Sequence, residues 1–155
     1  MSQRPELLNG LSDEAARQIL AIGSRTTVAS GAELFRLGAA ADSLFVIERG
    51  RIRLTLPMQV RGKEENVLVE ERGAGQTVGW SALNPPFRFT LSASAALETE
   101  VIAFPREALL SHFARHPETG YIVSMNLAAV IAQRLQLFQA MWLREMQRTI
   151  DQRCA

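Results

Sequence analysis

DSLFVIERGRIRL, residues 42–54, sets two brief apolar runs on either side of Gly50: Leu44–Ile47, and a second that starts at Ile52 and continues to Leu56. Each run has the length of a strand rather than a helix, and the glycine between them supplies a turn. The same texture extends in both directions. Glu33–Phe35, Val67–Val69 and Val101–Phe104 are further short runs, and Gly31, Gly38, Gly62, Gly73, Gly75 and Gly79 punctuate the segment. Short strands with glycine turns at about ten-residue spacing predict an all-β sandwich, a jelly roll or a barrel over residues 25–104. Gly62-Lys63-Glu64-Glu65-Asn66 reads as a polar hairpin tip.

Helical patterns flank this region. Leu11-Ser12-Asp13-Glu14 joins a hydroxyl cap to an acidic first turn, so an N-terminal helix is expected within residues 8–24, its apolar face made by Leu11, Ala15, Ile19 and Leu20. Residues 105–151 read as two helices. Pro105-Arg106-Glu107 opens the first, with Leu109, Leu110 and Phe113 facing inward before Pro117. The second runs from about Glu118 to Asp151. Leu127, Ile131, Leu135, Phe138, Trp142 and Met146 form one line along it, and Val123, Val130, Leu137 and Met141 form another. Together they are wider than one packing partner needs. Part of the helix is expected to cover the β-domain, and the rest to meet its counterpart in a homodimer.

Composition narrows the function classes. A chain of 155 residues with 47% hydrophobic and 21% charged content fits one soluble domain. The opening MSQRPELL lacks the apolar run of a signal peptide, and no 18 apolar residues run together, so no membrane span and a cytoplasmic location are expected. A net charge of +1 gives no broad attraction for a phosphate backbone, and Cys154, the single cysteine, excludes an internal disulfide. His112 and His116 share a helical face, but HFARH lacks the adjacent glutamate of a zinc-protease helix and no third ligand is identifiable, so no metal site is expected. Gly79-Trp80-Ser81-Ala82-Leu83 ends in leucine where a nucleophile elbow needs glycine. Ser81 is read as a helix cap or turn hydroxyl, and an enzyme is not expected.

Three stretches, GAELFRLG at 31–38, DSLFVIERGRIRL at 42–54 and GQTVG at 75–79, together resemble the cyclic nucleotide-binding domain of bacterial catabolite-activator-like regulators, over residues 8–137. The resemblance implies an α+β fold: a jelly-roll-like antiparallel β-roll flanked by an N-terminal helix and a long C-terminal helix that closes over the ligand and dimerises. It places a phosphate-binding cassette at VGWSALNPPFRF, residues 78–89. In the family a Gly-Glu pair starts this cassette, the glutamate meeting the ribose and a later arginine meeting the cyclic phosphate. Here Gly79 is kept, Trp80 stands in the glutamate's place, and the arginine position falls on Phe89 or Thr90. Arg88 is one residue away, and a one-residue displacement in a strand turns a side chain to the opposite face. It reads either as an anion contact at an irregular Pro85-Pro86 or as a solvated charge. Trp80 reads either as a pocket filler or as a stacking platform for a planar ligand.

The ligand-site residues implied by the resemblance are Gly79, Trp80, Ser81, Ala82, Arg88, Phe89, Thr90 and Ser92, with Phe138 and Gln139 from the final helix. GWSxLxPP also resembles a subgroup of stand-alone bacterial proteins of this type. Two functional readings follow. One is a regulatory or sensor domain with a non-standard pocket, taking a cyclic nucleotide or another small anionic or planar ligand and signalling through its last helix. The alternative is a ligand-free module that binds a protein partner, its pocket filled by aromatic side chains. No recognition helix follows the long helix, so nucleic-acid binding is not expected, and Arg134, Arg144, Arg148 and Arg153 are read as a solvated face.

Overall fold

Eight strands form between residues 24 and 105 of the computed structural model, which describes residues 4–154. They are β1 (Ser24–Val28), β2 (Glu33–Phe35), β3 (Ser43–Arg49), β4 (Arg51–Val60), β5 (Lys63–Gly73), β6 (Thr77–Val78), β7 (Ser92–Ala95) and β8 (Thr99–Pro105). All pair antiparallel, in two four-stranded sheets of order β1-β8-β3-β6 and β2-β7-β4-β5. Helices α1 (Asp13–Ile22), α2 (Arg106–Arg115) and α3 (Pro117–Cys154) flank this roll. The α+β roll expected from the sequence is the observed fold.

Ser12 caps α1 as its type and position predict, its hydroxyl accepting the Ala15 N–H at 3.1 Å. Ala16 and Ile19 are the buried residues of this helix, so its inner face is rotated from the expected one, with Ala15 and Leu20 only half-buried. Gly38, Gly50 and Gly75 all adopt positive φ, of 86°, 105° and 83°. The hairpin tip differs from expectation. Arg61 and Gly62 both have positive φ and make a two-residue turn, so Lys63, Glu64, Glu65 and Asn66 belong to β5 and pair with Val60, Gln59, Met58 and Pro57.

Register in β5 decides where its charges go. Leu54 faces Glu70 but Thr55 faces Leu68, which leaves Val69 as an extra residue in a bulge. Glu70 and Arg72 therefore lie opposite Leu54 and Ile52, both buried, whereas Glu71 lies opposite Arg53 on the outer face. Arg72 is 3% exposed; its guanidinium bonds Glu6 at 2.5 Å and Glu70 at 3.1 Å. Glu6 also accepts the Thr77 N–H at 2.9 Å, and Glu70 accepts from Arg134 of α3 at 2.7 Å. One neutral network of two arginines and two glutamates thus ties the N-terminal turn, β5, β6 and α3.

The network corrects one expectation outright. Arg134 is 8% exposed and ion-paired, not part of a solvated face. Its burial lowers its pKa, and Glu70 opposes that shift.

α2 carries the buried Leu109 and His112 inward, with Phe113 half-buried; Leu110, expected on the inner face, is 47% exposed. His116 alone separates α2 from α3, and Pro117 is the first residue of α3, where its missing N–H leaves no helical bond unmade. Burial, with the neighbouring charges of His116 and Arg115, pushes the His112 pKa below 6.5. The unfolded chain therefore binds more protons between that lowered value and 6.5. Stability from this residue is complete above the unfolded pKa and is lost as pH falls through the folded one. The urea midpoint of the wild type should drop between about pH 7.5 and about pH 6, and His112→Leu should flatten that slope. An unchanged slope in His112→Leu would remove His112 from the account.

α3 covers the roll only with its first half. Val123, Leu127, Val130 and Arg134 are buried, and Asn126 donates to the Leu7 and Asn9 carbonyls at 2.8 Å each. Leu127, expected at a dimer interface, thus lies in the core of its own chain, and Ile131 packs partly against it. Leu135, Phe138, Trp142, Leu143, Met146 and Ile150 are 38–61% exposed. One 18-residue window of this helix reaches a mean hydropathy of 1.2, so the sequence-based exclusion of a membrane-length apolar helix was too strict. The same helix supplies Val123, Leu127 and Val130 to the buried interior of the roll.

Candidate ligand site

The cassette leaves β6 through Gly79, whose φ is 80°. A Cβ there would stand 3.3 Å from both the Phe45 and Phe89 rings and 3.5 Å from the Ser43 carbonyl, so glycine permits both the left-handed backbone and the close approach of the rings. Trp80–Leu83 then forms a short 3-10 helix with Ser81 and Ala82 buried and Trp80 half-buried against the core. Of the two roles read for Ser81, helix cap or turn hydroxyl, the cap does not hold: Gly79 occupies that position and makes no side-chain bond. A turn follows, closed by the Phe87 N–H on the Asn84 carbonyl at 2.9 Å, with Phe87 at φ 58°.

Residues 87–89 run beside the loop between β2 and β3. Ala41 N–H bonds the Phe87 carbonyl, Phe89 N–H bonds the Ala39 carbonyl and Gly38 N–H bonds the Phe89 carbonyl, all at 2.7–3.0 Å. The single antiparallel bridge of Arg88 with Ala40 sets the side chains of Arg88 and Phe89 on opposite sides. Phe89 turns in, 7% exposed, and stacks on Phe35 with ring centres 3.8 Å apart and planes 9° apart. Phe35 stacks in turn on Phe45 at 5.9 Å. Arg88 turns out, is exposed, and donates to the Gly38 carbonyl at 2.9 Å.

The other expected site residues are dispersed. Thr90 is exposed and precedes β7, which begins at Ser92. Ser92 is buried, and its hydroxyl accepts the Leu37 N–H at 2.9 Å, binding β7 to the loop after β2. Phe138 and Gln139 are exposed on α3, beyond the stretch that packs on the roll.

Sequence reading missed one residue here. Arg106, the first residue of α2, donates to the Ala41 carbonyl at 2.6 Å and the Ala82 carbonyl at 3.4 Å, and its guanidinium lies 4.1 Å from the centre of the Phe87 ring. One cation thereby joins the cassette to the helix that leads into α3. Its signal was present only as a basic residue after Pro105; the two carbonyls it meets are 24 and 65 positions away.

The sequence profile of the cyclic nucleotide-binding domain matches residues 25–116. The chain belongs to the cyclic nucleotide-binding domain family. The catabolite activator protein of Thermus thermophilus superposes with a TM-score of 0.74 at 27% identity, over 92% of this chain and 63% of that one. A putative cyclic nucleotide-binding protein from Geobacter metallireducens shares the fold, with a TM-score of 0.70 at 23% identity over 83% of this chain and 91% of that one. Glutaminase 1 of Bradyrhizobium diazoefficiens is 33% identical over 139 residues, covering 87% of this chain but 21% of the glutaminase. The chain thus spans a fraction of its curated relative, and domains of this family occur within an enzyme as well as within an activator protein.

Proposed function

We propose that this chain is a regulatory domain with an altered ligand pocket that signals through α3. The observation that carries the reading is the opposite facing of residues 88 and 89, with Phe89 stacked inside the roll and Arg88 outside. With Trp80 in place of the family's glutamate, neither charged partner of a cyclic nucleotide is available inside. A hydrogen bond to a charged group contributes about 1.5–3 kcal/mol, so loss of both weakens ordinary cyclic nucleotide binding by at least about a hundredfold. The ligand proposed instead is small and anionic or planar, entering where Trp80, Arg88 and Thr90 border the cassette.

Arg106 supports the signalling half of the reading. A ligand that displaces the cassette moves the Ala82 carbonyl and the Phe87 ring, and through them the first turn of α2. α2 passes this to α3 at a close crossing, where a Cβ on Gly120 would stand 2.9 Å from Phe113. The domain is proposed to act in the cytoplasm, without catalysis of its own.

Calorimetry and thermal shift with cyclic AMP, cyclic GMP and a panel of small planar anions test the pocket. Cyclic AMP and cyclic GMP should show no saturable binding below about 100 μM, while a panel member raises the melting temperature by several degrees. Micromolar binding of cyclic AMP would overturn the altered pocket, and a silent panel would return the ligand-free module.

The second proposal is a homodimer through Leu135, Phe138, Trp142 and Met146, with Ile131 at its margin. Sedimentation should give a two-chain mass at micromolar concentration, and Trp142→Glu should give one chain with an unchanged circular dichroism spectrum. A wild-type monomer would end this proposal.

A further inference from the structure

A cavity lies on the opposite side of the molecule's first sheet from the ring stack, between α1 and the strand face that carries Arg25, Ile102 and Glu48. Its volume is about 460 Å³, within the range of small-molecule sites. None of its lining residues falls in the cassette. Both ends of α1 are fixed close to the body of the protein. At the C-terminal end a Cβ on Gly23 would stand 2.3 Å from Ile102 Cγ2 and 2.8 Å from Phe104, so glycine lets the chain touch the sheet there. At the other end the Glu6 N–H bonds the Gly75 carbonyl at 2.9 Å, and Arg4 bonds the Leu11 carbonyl at 2.6 Å and pairs with Asp13. Between these anchors Ala16 and Leu20 are the apolar residues of α1 that line the space, with Leu8 and Ile102 opposite.

The rim carries charge of one net sign. Arg25 is held by both carboxylate oxygens of Glu48, at 2.8 and 2.9 Å, and Arg4 is balanced by Asp13. Arg17 is the remaining charged lining residue and has no side-chain partner among the described residues. An apolar floor under one uncompensated guanidinium suits a small monoanion with an apolar body, the charge meeting Arg17 in the fork geometry that guanidinium offers a carboxylate.

We propose that this cavity binds a small apolar monocarboxylate, independently of the cassette. Methyl-resolved NMR titration of the full chain with hexanoate and 4-phenylbutyrate, and with hexanamide as the neutral match, tests it. The carboxylates should shift the Leu8, Leu20 and Ile102 methyl signals saturably, hexanamide should bind at least about tenfold more weakly, and Arg17→Glu should weaken hexanoate by a similar factor. Trp80→Ala should leave hexanoate binding unchanged. Leu20→Trp, which fills the floor, should abolish it; should that variant lose its dispersed spectrum, Arg17→Glu at the surface still decides the matter. The proposal fails if no signal saturates by about 10 mM, if hexanamide matches hexanoate, or if the shifts map to the cassette.

Discussion

Arg72→Met is expected to destabilise the protein by about 2–3 kcal/mol, because it removes the shared partner of two carboxylates while leaving both in place. Methionine keeps the aliphatic stem, so lost packing is small and the effect reports the charge. Glu6 retains the Thr77 N–H and Glu70 retains Arg134, which keeps the loss below that of a wholly unpaired buried ion. The matched control is Arg53→Met on the outer face of the same hairpin. Arg53 lies 3.7 Å from Glu71, with side chains 48% and 38% exposed, and its loss should cost no more than about 1 kcal/mol. Urea unfolding of the two variants measures the difference directly. Equal effects would mean that the network contributes nothing beyond a surface pair.

Phe35→Ala is expected to cost about 3–5 kcal/mol, since a buried phenyl group is removed from between two others. For a domain of this size that is a fall in Tm of roughly 6–20 °C. A double-mutant cycle with Phe89→Leu should return a coupling of about 0.5–1.5 kcal/mol, the part due to ring geometry rather than buried area. A coupling near zero would mean that the close stack is incidental to the packing. The result bears on function because these rings occupy the side of the cassette that the proposed pocket reading treats as closed to a cyclic phosphate.

Much of the fold was legible from local pattern. The apolar runs at 33–35, 44–47, 52–56, 67–69 and 101–104 all lie within strands and Ser12 caps α1 as expected, whereas Pro105 ends β8 and caps α2 rather than opening it, and Pro117, not Glu118, begins α3. β7 was harder to see: Ser92-Ala93-Ser94-Ala95 has no β-branched or aromatic residue, and it is a strand because β2 and β4 pair with it from either side. The site was legible in part. The turn at Gly79 could be read directly, whereas the direction of Arg88 could not, since it depends on hydrogen bonds to residues 38–41.

What the sequence by itself determined is the family and the roll between two helical ends, because these depend on residue type and short spacing. Tertiary structure alone decided that Phe89 rather than Arg88 faces inward, that Arg134 is buried with Glu70, and that Arg106 spans the cassette and α2. Each of these is a contact across some dozens of residues, and the second also depends on the one-residue bulge in β5 that turns Glu70 inward. In a strand a single step of register exchanges the inside for the outside.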